Sequence, residues 1–242
     1  MPDSRMQIIE VTEFWVRSAV IRLRHRESPL QFVIYSMVHM AEPAFYEAVT
    51  ARLGKADVVL AEGIRGNGRR RSPLLGALTL SYTALRFNRR MKLVKQAIDY
   101  RVLDVPVINP DVTTEEFADD WHKVPLRHRL AVWCVLPVVV LVRLFGGTRV
   151  IWSKSMEVND LPSPEEEDRA DALPPEVDAA FAGTRDDRLL AALYRLHEER
   201  GDEPIEVAVV YGAGHVAAIV EGLTTRLGYK ARSADWLTVA VL

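Results

Sequence analysis

Two stretches of the chain share one pattern of apolar and polar positions, and in each the pattern predicts strand, turn, helix, strand. In the first, Gln31 to Met37 (QFVIYSM) is rich in β-formers and follows Pro29. Pro43 suits the first turn of a helix, where its missing N–H does no harm. Phe45, Val49 and Leu53 recur at helical spacing, and Gly54 ends the helix. Asp57 to Ala61 (DVVLA) then reads as a short buried strand that delivers Glu62. In the second stretch Ile205 to Tyr211 (IEVAVVY) is a strand and Gly212-Ala213-Gly214-His215 a tight turn. Val216, Val220, Leu223 and Leu227 form one helical stripe stopped by Gly228, and Trp236 to Leu242 (WLTVAVL) makes a closing strand. Both helices end in the same tripeptide, Arg52-Leu53-Gly54 and Arg226-Leu227-Gly228.

The material between is different. Ser72 to Arg101 favours helix, Val102 to Asn109 (VLDVPVIN) reads as a strand, and Thr113 to His122 as a helix. From Leu130 to Val142 every residue is apolar, with Pro137 in the middle and Arg143 closing the run. Residues 157–184 carry Pro162, Pro164, Pro174, Pro175 and the acidic run Glu165-Glu166-Glu167-Asp168, a composition that predicts a loosely packed, solvated connector. Arg185 to Arg200 resumes as an amphipathic helix with Leu189, Leu193 and Leu196 on one face. Alternating strands and helices predict an α/β fold. Its mostly parallel central sheet is built from two similar βα units, with a helical insertion between them. Residues 1–242 form a single domain, within which 66–183 are the insertion and its acidic connector.

Composition narrows the partners. Lys plus Arg (31) nearly balance Asp plus Glu (33), for a net charge of −2, so no nucleic acid is expected. The single cysteine, Cys134, allows no internal disulfide, and no signal-peptide pattern opens the chain, which together predict a cytoplasmic protein. The apolar run at 130–145 qualifies this. It is shorter than the about 20 residues of a span and kinked by Pro137, which predicts a largely buried helix or a contact with a membrane surface or a second copy.

In parallel sheets ligands sit at the carboxyl ends of the strands. His39, Glu62 and His215 each fall at or just past such an end. Flanking glycines at 212 and 214 permit positive φ and close backbone approach beside His215. Glu62, directly after four apolar residues, needs compensation for lost hydration. A metal, a reacting proton or an ion pair to Arg65 or Arg69 would each supply it. Arg185 sits at a helix N-terminus, where a cation opposes the macrodipole, so function or a salt bridge has to account for it. The basic cluster Arg69-Arg70-Arg71 reads as a solvated loop or a path for an anion.

Four ordered blocks resemble the TraB/PrgY/GumN family, which is related to the Tiki metalloproteases and the erythromycin-esterase-like proteins. Val38-His39-Met40, with Phe45-Tyr46 and Gly54 beyond, resembles the family's first Gly-x-x-His block, and Asp57 to Glu62 resembles its D-x-V-x-x-E strand. Arg185-Asp186 resembles its Arg-Asn/Asp pair, and Val209 to His215 its second Gly-x-x-His block. The match covers residues 31–65 and 185–228 and is poor between them. The first motif departs from the family, since its leading Gly is Ser36 here; a positive φ at that residue would cost roughly 1–2 kcal/mol.

The resemblance implies a metal-dependent hydrolase acting on a peptide or ester bond. His39, Glu62 and His215 would hold one divalent ion (Mn, Co, Fe or Zn), and Arg185 would stabilise developing negative charge. Two other readings stand beside it: Glu62 or a histidine as general base without metal, and a non-catalytic module that sequesters a peptide or small ligand. A membrane-peripheral scaffold docked through 130–145 is a third.

Overall fold

The computed structural model describes residues 6–66, 73–83, 92–96, 98–145 and 174–242. The chain opens with β1 (Ile9–Val11) and β2 (Trp15–Arg24), which the apolar pattern had not singled out. Then follow β3 (Gln31–Met37), β4 (Met40–Ala41), α1 (Pro43–Leu53) and β5 (Val58–Ala61). The middle contributes α2 (Pro73–Thr83), β6 (Val94–Lys95), β7 (Val107–Ile108), α3 (Thr114–Lys123) and α4 (Leu126–Phe145). A short α5 (Pro175–Asp178) and a π-helical turn (Ala179–Gly183) lead into α6 (Thr184–Arg200). Last come β8 (Glu206–Gly212), α7 (Val216–Leu227) and β9 (Lys230–Val241), so the closing strand starts well before Trp236.

The fold is α/β. Neighbouring strands run β2, β3, β8, β5, β7, with β1 pairing the first half of β2 and β9 pairing β2 along its length. The pairs β3·β8, β8·β5 and β5·β7 are parallel. β1, β3 and β9 all run antiparallel to β2, so six strands share one direction and β2 alone is reversed. The strands of the first βα unit, β3 and β5, are not adjacent; β8 from the second unit lies between them. The near-continuous apolar sequences of β3, β5 and β8 follow from this, because central parallel strands are covered on both faces.

Local signals explain the helix ends. Thr113 and Glu116 make a reciprocal capping box at the start of α3. Gly228 ends α7 at φ +77, where its N–H reaches Thr224 O and the next N–H reaches Leu223 O, a left-handed cap that favours glycine. Gly54 closes α1 at φ −65, so the shared tripeptide hides two different stops.

Two features of the middle depart from expectation. Residues 175–183, read from composition as part of a loose connector, are helical, and Val177 and Ala180 are buried in a second core with Leu74, Val112, Phe117, Trp121 and Val124. Two apolar side chains on a helical turn outweigh the proline content there. The acidic run at 165–168 and the basic cluster at 69–71 lie outside the described residues. The second departure is α4. Its apolar side chains were expected to be largely buried, yet Leu130, Trp133, Val135, Val138, Leu141 and Phe145 are exposed, and Arg143 is the helix's one buried residue. By length and composition α4 is the one helix among the described residues long and apolar enough to cross a membrane.

Candidate functional site

The strand order assembles the site. Residues 37 and 212 are paired at the ends of β3 and β8, so His39 and His215 follow from neighbouring strand ends on one sheet edge. Ala61 at the end of β5 pairs with Val210 on the other side of β8, which brings Glu62 alongside the β8 turn. β7, next to β5, runs into Asn109-Pro110-Asp111 and adds a fourth polar group that the sequence pattern had not flagged.

Glu62 is the hub. Its Oε2 accepts the Gly212 backbone N–H at 2.6 Å, and its Oε1 accepts from Arg185 Nη2 at 2.5 Å. His215 Nε2 lies 3.6 Å from the same Oε1, an ion-pair distance too long for a full hydrogen bond. Burial alone would raise the Glu62 pKa, but the His215 imidazolium and the Arg185 guanidinium override it and hold the carboxyl far below the usual range. The partner of Glu62 is therefore Arg185, reaching across from α6. Arg65, considered from sequence, instead donates its Nε to the Asp111 carbonyl; Arg69 lies outside the described residues.

Arg185 is held on two sides. Its Nε and Nη2 donate to the Asp111 carboxylate at 2.9 and 2.8 Å while Nη2 also serves Glu62. Asp111 has no side-chain exposure and also accepts from the N–H groups of Gly63 and Val112. The unfavourable placement of a cation at a helix start is thus offset by two carboxylates, and Arg185 is pushed further into its charged form.

Asp186, next in the first turn of α6, contacts His215 Nδ1 at 2.5 Å. Burial works against the imidazolium, but Asp186 on one nitrogen and Glu62 near the other raise its pKa to about 9. The Tyr211 ring packs edge-on against His215 at 5.7 Å and completes the wall.

His39 stands apart from this cluster. Its side chain is exposed and packs on the Tyr82 ring from α2, with centroids 4.6 Å apart. Partial loss of hydration lowers its pKa, although the Glu62 charge pulls the other way. Among the described residues, no group of three His, Cys, Asp or Glu side chains is arranged to hold a metal ion.

Neither glycine of the second motif uses a positive φ, and only Gly212 is needed for the space it leaves. Gly212 has φ −54, and a Cβ there would sit 3.2 Å from Glu62 Oε2. Gly214 faces open space. Ser36 likewise needs no unusual backbone: it lies inside β3, and no non-glycine residue among those described has positive φ. Its carbonyl accepts from the Ser18 hydroxyl, so the departure from Gly at this position carries no backbone strain.

Comparison of the chain with family models, with characterised proteins and with solved structures finds no match, so the reading of the site rests on its own geometry.

Proposed function

We propose that the chain is a hydrolase of the TraB type, acting on a peptide or ester bond at the β5/β8 strand ends. The observation that carries this reading is the convergence of Glu62 and His215, with Asp186 behind the imidazole and Arg185 behind the carboxylate. A carboxylate held ionised and a histidine backed by a carboxylate are poorly tuned as proton carriers near neutral pH, where a useful group titrates close to the working pH. As ligands they suit better, with the ion displacing the Nε2 proton of His215. Asp186 on Nδ1 directs Nε2 towards Glu62, the carboxylate–histidine arrangement that supports metal-binding imidazoles.

Glu62 and His215 would supply two ligands to a divalent ion, with His39 on the same edge as the third candidate. Such an ion would activate a water and polarise a carbonyl. The chain's own residues do the rest. Asp186 fixes the orientation of His215, Gly212 fixes that of Glu62, and the Arg185–Asp111 pair holds the Glu62 carboxylate in place. Arg185 is occupied by two carboxylates, so its part is positioning and charge balance as much as stabilising a developing anion.

The test is metal content of the purified protein by mass spectrometry, with cleavage of a peptide and ester panel with and without manganese or cobalt. The expected result is a bound ion and metal-dependent cleavage, both lost in Glu62→Gln and in His215→Ala. Protein that binds no ion and cleaves nothing favours the second reading, a module that sequesters a peptide or small ligand. The saturation of Glu62, with partners on both carboxylate oxygens, is the observation on that side.

A further inference from the structure

Burial in α4 is inverted. From Leu130 to Phe145 the one charged residue is Arg143, and it is 8% exposed, while Leu130 is 55%, Val138 58%, Leu141 55% and Phe145 82% exposed. Helices in water do the reverse. Arg143 is drawn inward by α2, where it donates to Ser81 Oγ at 2.5 Å and lies 4.1 Å over the Tyr82 ring. Val132, Leu136 and Val139 share its less exposed face at helical spacing, so one side of α4 meets the protein and the broad remaining side is left uncovered by the described residues.

The geometry points to a lipid bilayer as the occupant of that side, with α4 lying in the plane of the interface. Both helix ends are tied to the same body, which argues against a crossing. The first end follows α3, whose Phe117 and Trp121 are in the second core with Val132 packed against it. The other end is held through Arg143 and Tyr82, and the Tyr82 ring rests on His39. A helix fastened at both ends along the protein surface presents its outer face to a membrane sideways, as interfacial helices do. The charges agree. Arg127, exposed, and Arg129 open the helix beside His128, which faces Glu176 at 3.6 Å, and no acidic residue occurs from Leu126 to Phe145. Anionic headgroups would complement these groups, whereas the α4 of a second copy offers them no carboxylate. Docking in this way does not depend on the hydrolase reading; α4, Arg143 and the Tyr82 ring would lie between the membrane surface and His39.

The experiment is flotation of the full-length protein with phosphatidylcholine vesicles, with and without phosphatidylglycerol, alongside sedimentation without lipid. Binding that is stronger on the anionic vesicles is expected, with a blue shift in tryptophan emission that Trp133→Leu removes. Val138→Glu and Leu141→Glu, at exposed positions that leave the thermal melt unchanged, should each weaken vesicle binding by about tenfold or more. Failure to float on either vesicle overturns the proposal, as does vesicle binding indifferent to both substitutions. Self-association without lipid that these substitutions abolish, in a protein that ignores vesicles, assigns the face to a second copy instead.

Discussion

Asp111 takes both Nε and Nη2 of Arg185, at 2.9 and 2.8 Å, and its own side chain has no solvent exposure. One buried carboxylate therefore anchors the cation that in turn contacts Glu62. Removing one partner of a buried ion pair leaves the other uncompensated, which typically costs about 3–5 kcal/mol. Asp111→Asn should lower the urea midpoint accordingly. Adding Arg185→Gln should cost much less than the sum of the single losses, because the three groups form one network. Additive losses would show that Asp111 and Arg185 act separately.

Asp186 should set the charge of His215. With the carboxylate in place the imidazolium persists to about pH 9. In Asp186→Asn the His215 resonances should titrate at distinctly lower pH. The sign of the linked stability follows from the raised pKa. In the metal-free protein, the contribution of His215 is fully present below its ordinary pKa of 6.5 and disappears as pH rises through about 9. The variant should lose that contribution at lower pH, which a series of thermal melts at mildly alkaline pH would show. Identical profiles for the two proteins would detach Asp186 from the histidine.

Gly212 and Gly214 should respond differently to the same substitution. A methyl at 212 meets Glu62 Oε2 at 3.2 Å, whereas at 214 it meets nothing within 4 Å. Gly212→Ala should therefore displace the carboxylate, costing about 1–3 kcal/mol and lowering any ion affinity. Gly214→Ala should stay within about 0.5 kcal/mol of wild type. Equal effects at both positions would mean that the loop needs glycine for another reason.

Ser36→Gly restores the residue of the motif that this chain resembles, but it should bring no gain. Ser36 sits in β3 with ordinary extended geometry, so glycine there adds unfolded-state freedom, about 0.5–1 kcal/mol of lost stability, partly offset by removal of a buried hydroxyl that has no partner. A large rise in metal-dependent cleavage on this substitution would contradict that account.

Much of the frame was legible because its causes are local. The apolar run of residues 31–37 is β3 from end to end, the β5 and β8 runs are right to within a residue or so, and the stripe Val216, Val220, Leu223, Leu227 is α7. Periodicity records which faces are covered, and caps such as Thr113 or Gly228 act within a single turn. The polar ends of those strands, His39, Glu62 and His215, were readable for the same reason. Strand β2 was not, since Arg17, Ser18, Arg22 and Arg24 interrupt its apolar positions.

What the chain could not disclose locally is who stands beside whom. β8 enters between β3 and β5 from far along the sequence, and that insertion makes Gly212 a partner of Glu62. Asp111, three residues past the two-residue strand β7 and within a loop, carries no periodic signal, yet it becomes the most buried member of the cluster. The same holds for α4, whose composition says apolar but cannot say whether protein covers it. Pairing across a sheet and packing between helices are free-energy differences over the whole chain, so they belong to the tertiary structure. Residue type and spacing determine the faces; the folded body alone decides that Arg143 turns inward and the valines and leucines around it turn out.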